Sequence, residues 1–395
     1  MKNIKIVHFC QDEKWTKGAY YLFEKAFPGQ NKYIVLKNQA NKAFKYIHFL
    51  ESIIEINADK HESLISQNIH DASLVVLHGL TYRHALIAYK IIPEKKILWL
   101  IMGADMYKNP YIYNKPILGR KTKELKDRIE NSFYLIDEIK HIYRWIRYGK
   151  PLDQNEAHKF VAHIASKIQF VATFQKEQFD MLKELTAIPD NAERLHFSFY
   201  PLEVILNHNE SINISGKNIL LGNSASYTNN HLEIIDRLAE FDLNERKIIA
   251  PLSYGPERYG KQIVKYGYKK LCNHFYPLND FLPVEEYTNI IQTCGIAIMN
   301  HYRGEAAGNV LRTIYLGSKL YMSERSIIFK YLKRIGCYVF SIEKELKPSN
   351  KDALLLLNEK QIQHNRKVIH KEISERVLLD CLNKSIHKKI SQEKA

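Results

Sequence analysis

The sequence lacks several features that would assign it at once to a familiar class of protein. No apolar run approaches the roughly 20 residues that cross a bilayer, and the longest candidate, Ile97 to Ala104, is short enough to be a buried strand. The five cysteines are far apart and include no CxxC pair, so they indicate neither a disulfide framework nor a zinc site. The first residues lack the apolar core of a signal peptide. A reducing cytoplasm is the expected compartment.

Common catalytic motifs are missing as well. The sequence has no G-x-G-x-x-G dinucleotide fingerprint, no G-x-x-x-x-G-K-[ST] phosphate loop, no G-x-S-x-G nucleophile elbow and no H-E-x-x-H zinc helix. No two aspartates are spaced as Asp-x-Asp, the arrangement by which many sugar-nucleotide enzymes hold a divalent cation. We therefore expect no dedicated metal site and no cofactor.

The composition is that of an ordinary folded protein with an excess of positive charge. With 395 residues, of which 45% are hydrophobic and 26% charged, the chain can form two domains with sizeable cores. The formal net charge of +15 predicts an anionic partner, which could be nucleic acid, a membrane surface or a small polyanion. Scattered lysines that only keep the protein soluble would give the same total.

Strand and helix signals alternate along the first half, which predicts a parallel, doubly wound α/β sheet. Ligands bind outside the carboxyl ends of the strands in such sheets, so His78 and the Gly103-Ala104-Asp105 stretch are expected at the functional edge. The predicted strands are residues 5–10, 33–36, 73–78, 97–102 and 169–174, and the predicted helices are residues 18–26, 84–92 and a segment that ends near 186.

The segment 108–150 is basic and aromatic. It contains eleven Lys and Arg residues against five Asp and Glu residues, with aromatic side chains between them. Its last part, HIYRWIRYGK (His141 to Lys150), has the composition of a helix that lies in a membrane interface. Solvated lysines on a packed helix would look similar, so both interpretations stay open.

The second half repeats the alternation, which predicts a second strand–helix domain. We expect an N-terminal domain over residues 1–206, a polar linker over 207–217, a C-terminal domain over 218–350 and a helical tail over 351–395. The predicted strands are residues 218–221, 247–250, 281–282, 295–299 and one after Gly317, and the predicted helices begin near 228, 257, 284 and 308.

The stretch from Cys294 to Met322 reads as a strand, a polar loop, a helix that opens at Gly308-Asn309, and a second strand. A helix N-terminus directly after a polar strand-end loop is where α/β proteins bind anions, because its backbone N–H groups are unpaired and its dipole is positive. Arg303 lies in this loop, with Asn300, His301, Glu305 and Asn309 around it. The pattern predicts a phosphate site.

Two further strand-end loops of the second half have a similar character. Gly222-Asn223-Ser224 follows one predicted strand, and the loop that contains Tyr254 follows the next. Glycine lets the backbone approach a ligand, while Asn, Ser and Arg donate hydrogen bonds to phosphate or sugar oxygens. Each loop alone could be a plain turn, but three on one edge indicate a binding site. The candidate ligand-binding residues are Gly222, Asn223, Ser224, Tyr254, Asn300, Arg303, Gly308 and Asn309.

These blocks resemble the bacterial TDP-N-acetylfucosamine:lipid II N-acetylfucosaminyltransferases, the 4-alpha-L-fucosyltransferase-type enzymes of glycosyltransferase family 56. The resemblance rests on LLGNSASYTNNH (Leu220 to His231), IIAPLSYG (Ile248 to Gly255) and the stretch from Leu282 to Met322. In the first half it rests on VLHGL (Val76 to Leu80) and MGADMY (Met102 to Tyr107). Two positions depart from the pattern: Met102 stands where a tryptophan is usual, and Gly304-Glu305 replaces a Gln-Gln pair.

The resemblance implies a GT-B architecture, with two Rossmann-like domains that face each other across a cleft. It implies a nucleotide-sugar donor on the C-terminal domain and a polyprenyl-diphosphate-linked acceptor on the N-terminal one. It also implies peripheral association with the anionic cytoplasmic face of the inner membrane, where family members add an amino sugar to an undecaprenyl-diphosphate-linked saccharide. The positions on the pattern are His78, Gly79, Gly103, Ala104, Asp105, Tyr107, Gly222, Asn223, Ser224, Asn229, His231, Pro251, Tyr254, Arg303 and Gly308.

The chemistry of glycosyl transfer suggests roles for a few of these residues. Without a metal, helix N-termini and cations must stabilise the departing diphosphate, and Arg303 with the helix at Gly308 is the candidate. Asp105 or His78 could accept the proton of the acceptor hydroxyl. The alternatives are an Asx-turn or helix cap for Asp105 and a structural or substrate-positioning role for His78.

Two other functions stay open at this stage. The same fold could use another nucleotide sugar in capsule or O-antigen assembly. The net charge and aromatic content could instead belong to a nucleic-acid-binding protein. Because the basic residues concentrate in the segment 108–150 and the tail, while the strand-end loops suit a small ligand, we expect no nucleic acid partner.

Overall fold

The chain forms two α/β units, seen here in a computed structural model. The structure describes residues 4–37, 44–48, 53–57, 62–92, 94–133, 153–206 and 214–391. The first unit comprises Met1–Asn114, Leu152–Pro201 and Glu372–Ala395, and the second comprises Lys115–Pro151 and Leu202–Lys371.

Each unit is built on one sheet in which every described strand pair is parallel. The strands of the first unit are β1 Ile6–Cys10, β2 Asn31–Lys37, β3 Ile53–Asn57, β4 Leu74–His78, β5 Ile97–Leu100, β6 Phe170–Ala172 and β7 Glu193–Leu195. Those of the second are β8 Ile219–Leu221, β9 Ile248–Pro251, β10 Phe275–Leu278, β11 Ile296–Met299, β12 Lys319–Met322 and β13 Val339–Ser341. Most of them are short apolar runs, as a sheet covered on both faces requires.

The strand orders are β3-β2-β1-β4-β5-β6-β7 and β10-β9-β8-β11-β12-β13. In each sheet the chain first adds strands on one side of its first strand and then crosses to the other side, which is doubly wound topology. The reversal lies between β1 and β4 in the first sheet and between β8 and β11 in the second. These two switch points are where such sheets bind ligands.

Helices follow most of the strands and cover the sheets. They are α1 Lys14–Ala26, α2 Glu62–Ile69, α3 Tyr82–Ile91, α4 Ala104–Tyr107, α5 over residues 120–133, α6 Gln154–Ala165, α7 Lys176–Glu184, α8 Leu202–Ile205, α9 His231–Leu238, α10 Glu257–Leu271, α11 Val284–Gln292, α12 Ala307–Leu316, α13 Ile327–Arg334, α14 Glu359–Ile373 and α15 Glu375–Ser391. Among the described helices, none combines the length and the apolar character of a membrane-spanning segment.

Two helices lie in units that the sequence did not predict for them: α5 was expected in the N-terminal domain, and α15 was expected in a separate C-terminal tail. Leu125 of α5 lies in the core of the second unit, with Ile129 packed against it. Leu378, Leu382 and Ile386 of α15 lie in the core of the first unit. Each helix therefore belongs to the unit in whose core its apolar side chains are buried. The boundaries of the two units differ from the boundaries expected at 206 and 351.

Most predicted elements match described strands or helices to within a few residues, but the strand over 281–282 is wrong. The strand of that region is β10, which ends at Leu278, and Phe281 lies in the following loop with 88% of its surface exposed. Residues 207–213 of the predicted linker and His141 to Lys150 lie outside the described residues. Residues 214–217 of the linker are bonded into the second unit, where the Ser215 N–H donates to Gln292 O over 2.9 Å.

Candidate active site

The loops after β8 and β11 lie side by side at the switch point of the second sheet. Strand β8 pairs with β11 in parallel register, and the Gly222 N–H donates to Ile298 O over 2.9 Å. The loop of residues 222–226 therefore leaves the sheet next to the loop that begins at Asn300. Most of the predicted donor-binding residues are on these two loops.

The amide of Asn229 connects the two loops. Its Oδ1 accepts hydrogen bonds from the Asn223 N–H over 2.9 Å and from His301 Nε2 over 3.1 Å. Its Nδ2 donates to Ser224 Oγ over 3.3 Å and to Ser226 O over 3.4 Å. Asn229 is fully buried, so these four bonds replace the water that its amide has lost.

Gly222 gives Asn229 the space that it needs. A Cβ atom at position 222 would lie 2.5 Å from Asn229 Oδ1 and 2.9 Å from His231 Nε2. The φ of Gly222 is also +67°, in the left-handed region that side chains disfavour. Glycine is thus required twice at this strand end, once for its backbone and once for the close approach.

Two buried histidines complete this polar cluster. His231 Nδ1 is 3.0 Å from the Tyr259 hydroxyl, and His301 Nε2 is 3.1 Å from Asn223 Oδ1. Burial lowers the pKa of His231 to about 3 and that of His301 to about 4. His231 Nε2 and His301 Nδ1 have no hydrogen-bond partner among the described residues. Both rings are therefore neutral at physiological pH.

Helix α12 begins beside this cluster with an open N-terminus. Its N-cap, Ala306, has a left-handed backbone with φ +58°, and within the described chain no side chain caps the helix. The first intrahelical hydrogen bond is donated by the Val310 N–H, so the N–H groups of residues 307–309 have no acceptor within the helix. A Cβ atom at Gly308 would meet no described atom within 4 Å. A ligand could therefore approach the backbone at Gly308.

Arg303 lies in the loop that leads into α12. Its Nε donates to Glu305 Oε2 over 2.7 Å, and the two side chains are 17% and 19% exposed. Burial raises the pKa of the Glu305 carboxyl, but His301 and Arg303 outweigh it, and the net shift is downward. The pair therefore carries both charges at neutral pH.

The remaining donor-side predictions fall into two groups. Asn300 is buried, and its Nδ2 donates to Asn230 O over 3.3 Å, while Asn230 Nδ2 donates to Asn300 O over 2.9 Å. Ser224 is likewise buried and serves as an acceptor for Asn229. Tyr254 is 76% exposed in the loop after β9. Asn300 and Ser224 thus hold the loops together, whereas Tyr254, Gly308 and Asn309 lie where a ligand could contact them.

Asp105 connects strand ends in the first unit. Its Oδ2 accepts hydrogen bonds from Trp99 Nε1 over 2.8 Å, from the Leu80 N–H over 3.1 Å and from the Met102 N–H over 3.4 Å. Burial raises the pKa of this carboxyl, and these hydrogen bonds oppose the shift. Asp105 therefore fixes the loops after β4 and β5, and its second oxygen accepts from the Met106 N–H over 3.2 Å.

His78 lies in a chain of buried polar groups at the end of β4. Asn31 Nδ2 donates to Phe27 O over 2.7 Å, so Asn31 Oδ1 is the acceptor that faces His8 Nε2 at 3.2 Å. His8 Nδ1 is then an acceptor, and His78 Nε2 donates to it over 3.0 Å. Burial lowers the pKa of His8 to about 3 and that of His78 well below its usual value. His78 Nδ1 is left as a buried acceptor without a partner in the described chain.

The structure brings the two candidate bases to neighbouring strand ends, because β4 pairs with β5, but no hydrogen bond links their side chains in the described chain. Catalysis by Asp105 or His78 stays a prediction. The sequence places His301 and Glu305 in the predicted phosphate loop but gives them no individual role, and it does not single out Asn230. Each of them is a polar residue beside the end of a buried strand or the start of a helix. Ordinary turns have polar residues at the same positions, so this pattern does not identify a functional residue.

A family model described as 4-alpha-L-fucosyltransferase glycosyl transferase group 56 matches residues 155–367, more than half of the chain. No curated protein sequence matches the chain. Among solved structures, a glycosyltransferase from Rickettsia africae is 13% identical with a TM-score of 0.61, and the alignment covers 100% of both chains.

HepE of Anabaena, solved with UDP and glucose, is 10% identical with a TM-score of 0.59, over 98% of this chain and 100% of that one. Sucrose-phosphate synthase from Thermosynechococcus elongatus is 8% identical with a TM-score of 0.58, over 99% of this chain and 100% of that one. At such identities the likeness shows the fold, which is of the GT-B class with two Rossmann-like domains. The predicted fold class is confirmed.

Replacing Gly222 with Ala tests the contact between the strand end and Asn229. Gly29 also has φ +67° but has no described atom within 4 Å of its Cβ position, so Gly29→Ala measures the backbone cost alone. We expect about 1–2 kcal/mol of destabilisation for Gly29→Ala and a larger loss for Gly222→Ala, measured by urea unfolding. Equal losses for the two variants would show that Asn229 and His231 do not restrict position 222.

The buried histidines predict a loss of stability in acid. Above pH 6.5 both folded and unfolded states carry neutral rings; below it only the unfolded state binds protons until the pH approaches the lowered pKa values of about 3 and 4 for His231 and His301. Each such histidine should contribute up to about 1.4 kcal/mol per pH unit to the fall in the free energy of unfolding.

Urea unfolding at pH 7, 6 and 5 measures this slope. His231→Gln should flatten it, while the surface variant His163→Gln should unfold with the slope of the parent protein. The expectation fails if the unmodified chain is equally stable at all three pH values.

Proposed function

Because the chain belongs to the 4-alpha-L-fucosyltransferase glycosyl transferase group 56 family, we propose that this glycosyltransferase moves a 4-acetamido-4,6-dideoxygalactose-like sugar from a TDP-sugar. The proposed acceptor is an undecaprenyl-diphosphate-linked saccharide of bacterial surface polysaccharide synthesis. The donor binds the second unit, and the acceptor binds the first. The reaction takes place at the cytoplasmic face of the inner membrane, to which the protein binds peripherally.

The observation that carries the proposal is the open N-terminus of α12. Unpaired backbone N–H groups and the positive end of a helix dipole stabilise a phosphate without any metal. The space beyond Gly308 is open, and Arg303 lies in the preceding loop. A nucleoside diphosphate bound there would receive hydrogen bonds to the oxygens that become negative when the sugar leaves. HepE, which has a similar fold, was solved with UDP and with UDP-glucose.

The proposed acceptor site is in the first unit. A base must take the proton of the acceptor hydroxyl, and we propose Asp105, whose raised pKa makes it a better base than an ordinary aspartate. His78 is the second candidate, but both of its ring nitrogens are buried, with Nε2 donating to His8. For the hydroxyl to reach His78, the loop after β4 would have to move.

Arg303→Ala tests the donor site. Removing the guanidinium should lower kcat/KM for transfer from TDP-4-acetamido-4,6-dideoxygalactose by roughly 100-fold or more, as loss of one electrostatic stabiliser does in other enzymes. Arg334→Ala, which removes an exposed arginine at the far end of α13, is the charge-matched control and should keep the parent rate. An unchanged kcat/KM for Arg303→Ala would refute the assigned role.

Three further measurements test the donor site. Gly308→Ala places a methyl group in open space, so the stability of the fold should be unchanged while the affinity for TDP falls. Transfer in the presence of EDTA should persist if the reaction needs no divalent cation. A panel of nucleotide sugars with product masses distinguishes the TDP donor from the alternative, a different nucleotide sugar used in capsule or O-antigen assembly.

Membrane association is tested with vesicles. The protein should co-sediment with vesicles that contain anionic lipid and not with neutral ones, because each basic residue near an anionic surface contributes about 1 kcal/mol. Changing Lys140, Arg144 and Arg147 to Gln should abolish the difference. The control changes three exposed lysines of α14, Lys360, Lys367 and Lys371, to Gln. Equal loss in both variants would show that net charge alone attracts the protein.

A further inference from the structure

The hydrogen bonds around His301 fix which of its nitrogens carries the proton. Asn229 Oδ1 is an oxygen and not the amide nitrogen, because it accepts from the Asn223 N–H while the other end of the amide faces Ser226 O. His301 Nε2 lies 3.1 Å from this oxygen, so it must be the N–H nitrogen. His301 Nδ1 has no partner in the described chain, which fits a ring that carries its only proton on Nε2.

The same N–H fixes the orientation of the Asn223 side chain. It lies 3.1 Å from Asn223 Oδ1 as well as from Asn229 Oδ1, so it is shared between two amide oxygens. The opposite orientation of Asn223 would place its NH2 group against the imidazole N–H. Asn223 Nδ2 therefore faces away from His301, and it has no partner among the residues that the structure describes.

Asn223 stands where a ligand of the second unit would arrive. It is the second residue after β8, at the switch point, and its side chain is half-buried. An amide NH2 group donates well to phosphate oxygens, whereas an amide oxygen would repel them. The orientation of this one amide thus decides whether the loop attracts or repels an anion.

We propose that His301 is a positioning residue of the donor site: its Nε2–H holds Asn223 so that the amide NH2 donates to a diphosphate oxygen of the nucleotide sugar. This assignment rests on the proposed function. His301 itself touches no substrate, since it is fully buried. Asn229 shares the N–H and keeps the imidazole in place.

Two substitutions at position 301 separate the role of the Nε2–H from a structural one. A glutamine places its NH2 near the position of Nε2, whereas an asparagine places it near Nδ1. His301→Gln should bind TDP within about threefold of the parent protein, as measured by titration calorimetry. His301→Asn should bind roughly 10- to 100-fold more weakly, the loss expected for one hydrogen bond to a charged group.

Position 223 provides the second arm of the experiment. Asn223→Ala should lose the same factor as His301→Asn, and the double variant should lose no more than either single one, because both act through one donor. Asn223→Asp still accepts from His301 but presents an oxygen to the diphosphate, so it should bind TDP more weakly than Asn223→Ala. These variants test the proposal even if His301→Asn does not fold.

The outcomes distinguish this inference from the proposed function. A parent protein that binds neither TDP nor UDP refutes the proposed function and the assignment together. A parent that binds while His301→Asn binds equally well refutes only the role of His301. Losses that multiply in the double variant, or equal losses for His301→Gln and His301→Asn, also overturn the assignment.

Discussion

The amide of Asn229 is the interaction on which the site of the second unit depends. At the edge of a parallel sheet, backbone and side-chain polar groups leave the ladder of hydrogen bonds and must find other partners. Asn229 uses its full capacity there, with two hydrogen bonds accepted and two donated. A buried amide whose hydrogen bonds are all satisfied is held in one orientation, which is what a binding loop needs to keep its donors in place. Gly222 is needed for the same reason, because a Cβ atom at this position would lie 2.5 Å from Asn229 Oδ1.

The first unit also contains buried polar groups that find hydrogen-bond partners outside the ladder of the sheet. In its sheet a directed chain runs from Asn31, the first residue of β2, through His8 of β1 to His78 at the end of β4, and all three groups are neutral. Asp105 is the carboxylate of that edge, and its Oδ2 is shared among three N–H donors from the ends of β4 and β5. Apart from Asp105 and the Arg303–Glu305 pair, these polar groups of both units are neutral and buried, so they hold position at little electrostatic cost.

Periodic apolar runs predicted the strands and most of the helices because burial in a parallel sheet leaves a plain pattern in the sequence. The loops after β8 and β11 were predicted as a site because Gly, Asn, Ser and Arg cluster at strand ends. The hydrogen-bond partners within these loops were not predictable from the sequence. Asn300 was expected to contact the ligand, yet its amide bonds to Asn230, and His301, its neighbour, orients Asn223. Which of several polar neighbours turns inward depends on contacts about 70 positions away in the chain.

The arginine of the proposed donor site does not act as an isolated positive charge. Glu305 holds Arg303 at 2.7 Å, so the formal charges of the pair cancel before any ligand arrives. A helix N-terminus carries about half a positive charge, delivered through N–H groups that point at the ligand. We therefore expect directed N–H donors, from α12, from Asn223 and from the guanidinium of Arg303, to contribute more to holding the diphosphate than net charge does. Because such donors act only at short range and in fixed directions, they favour the leaving group at its position in the transition state over an anion that is merely nearby.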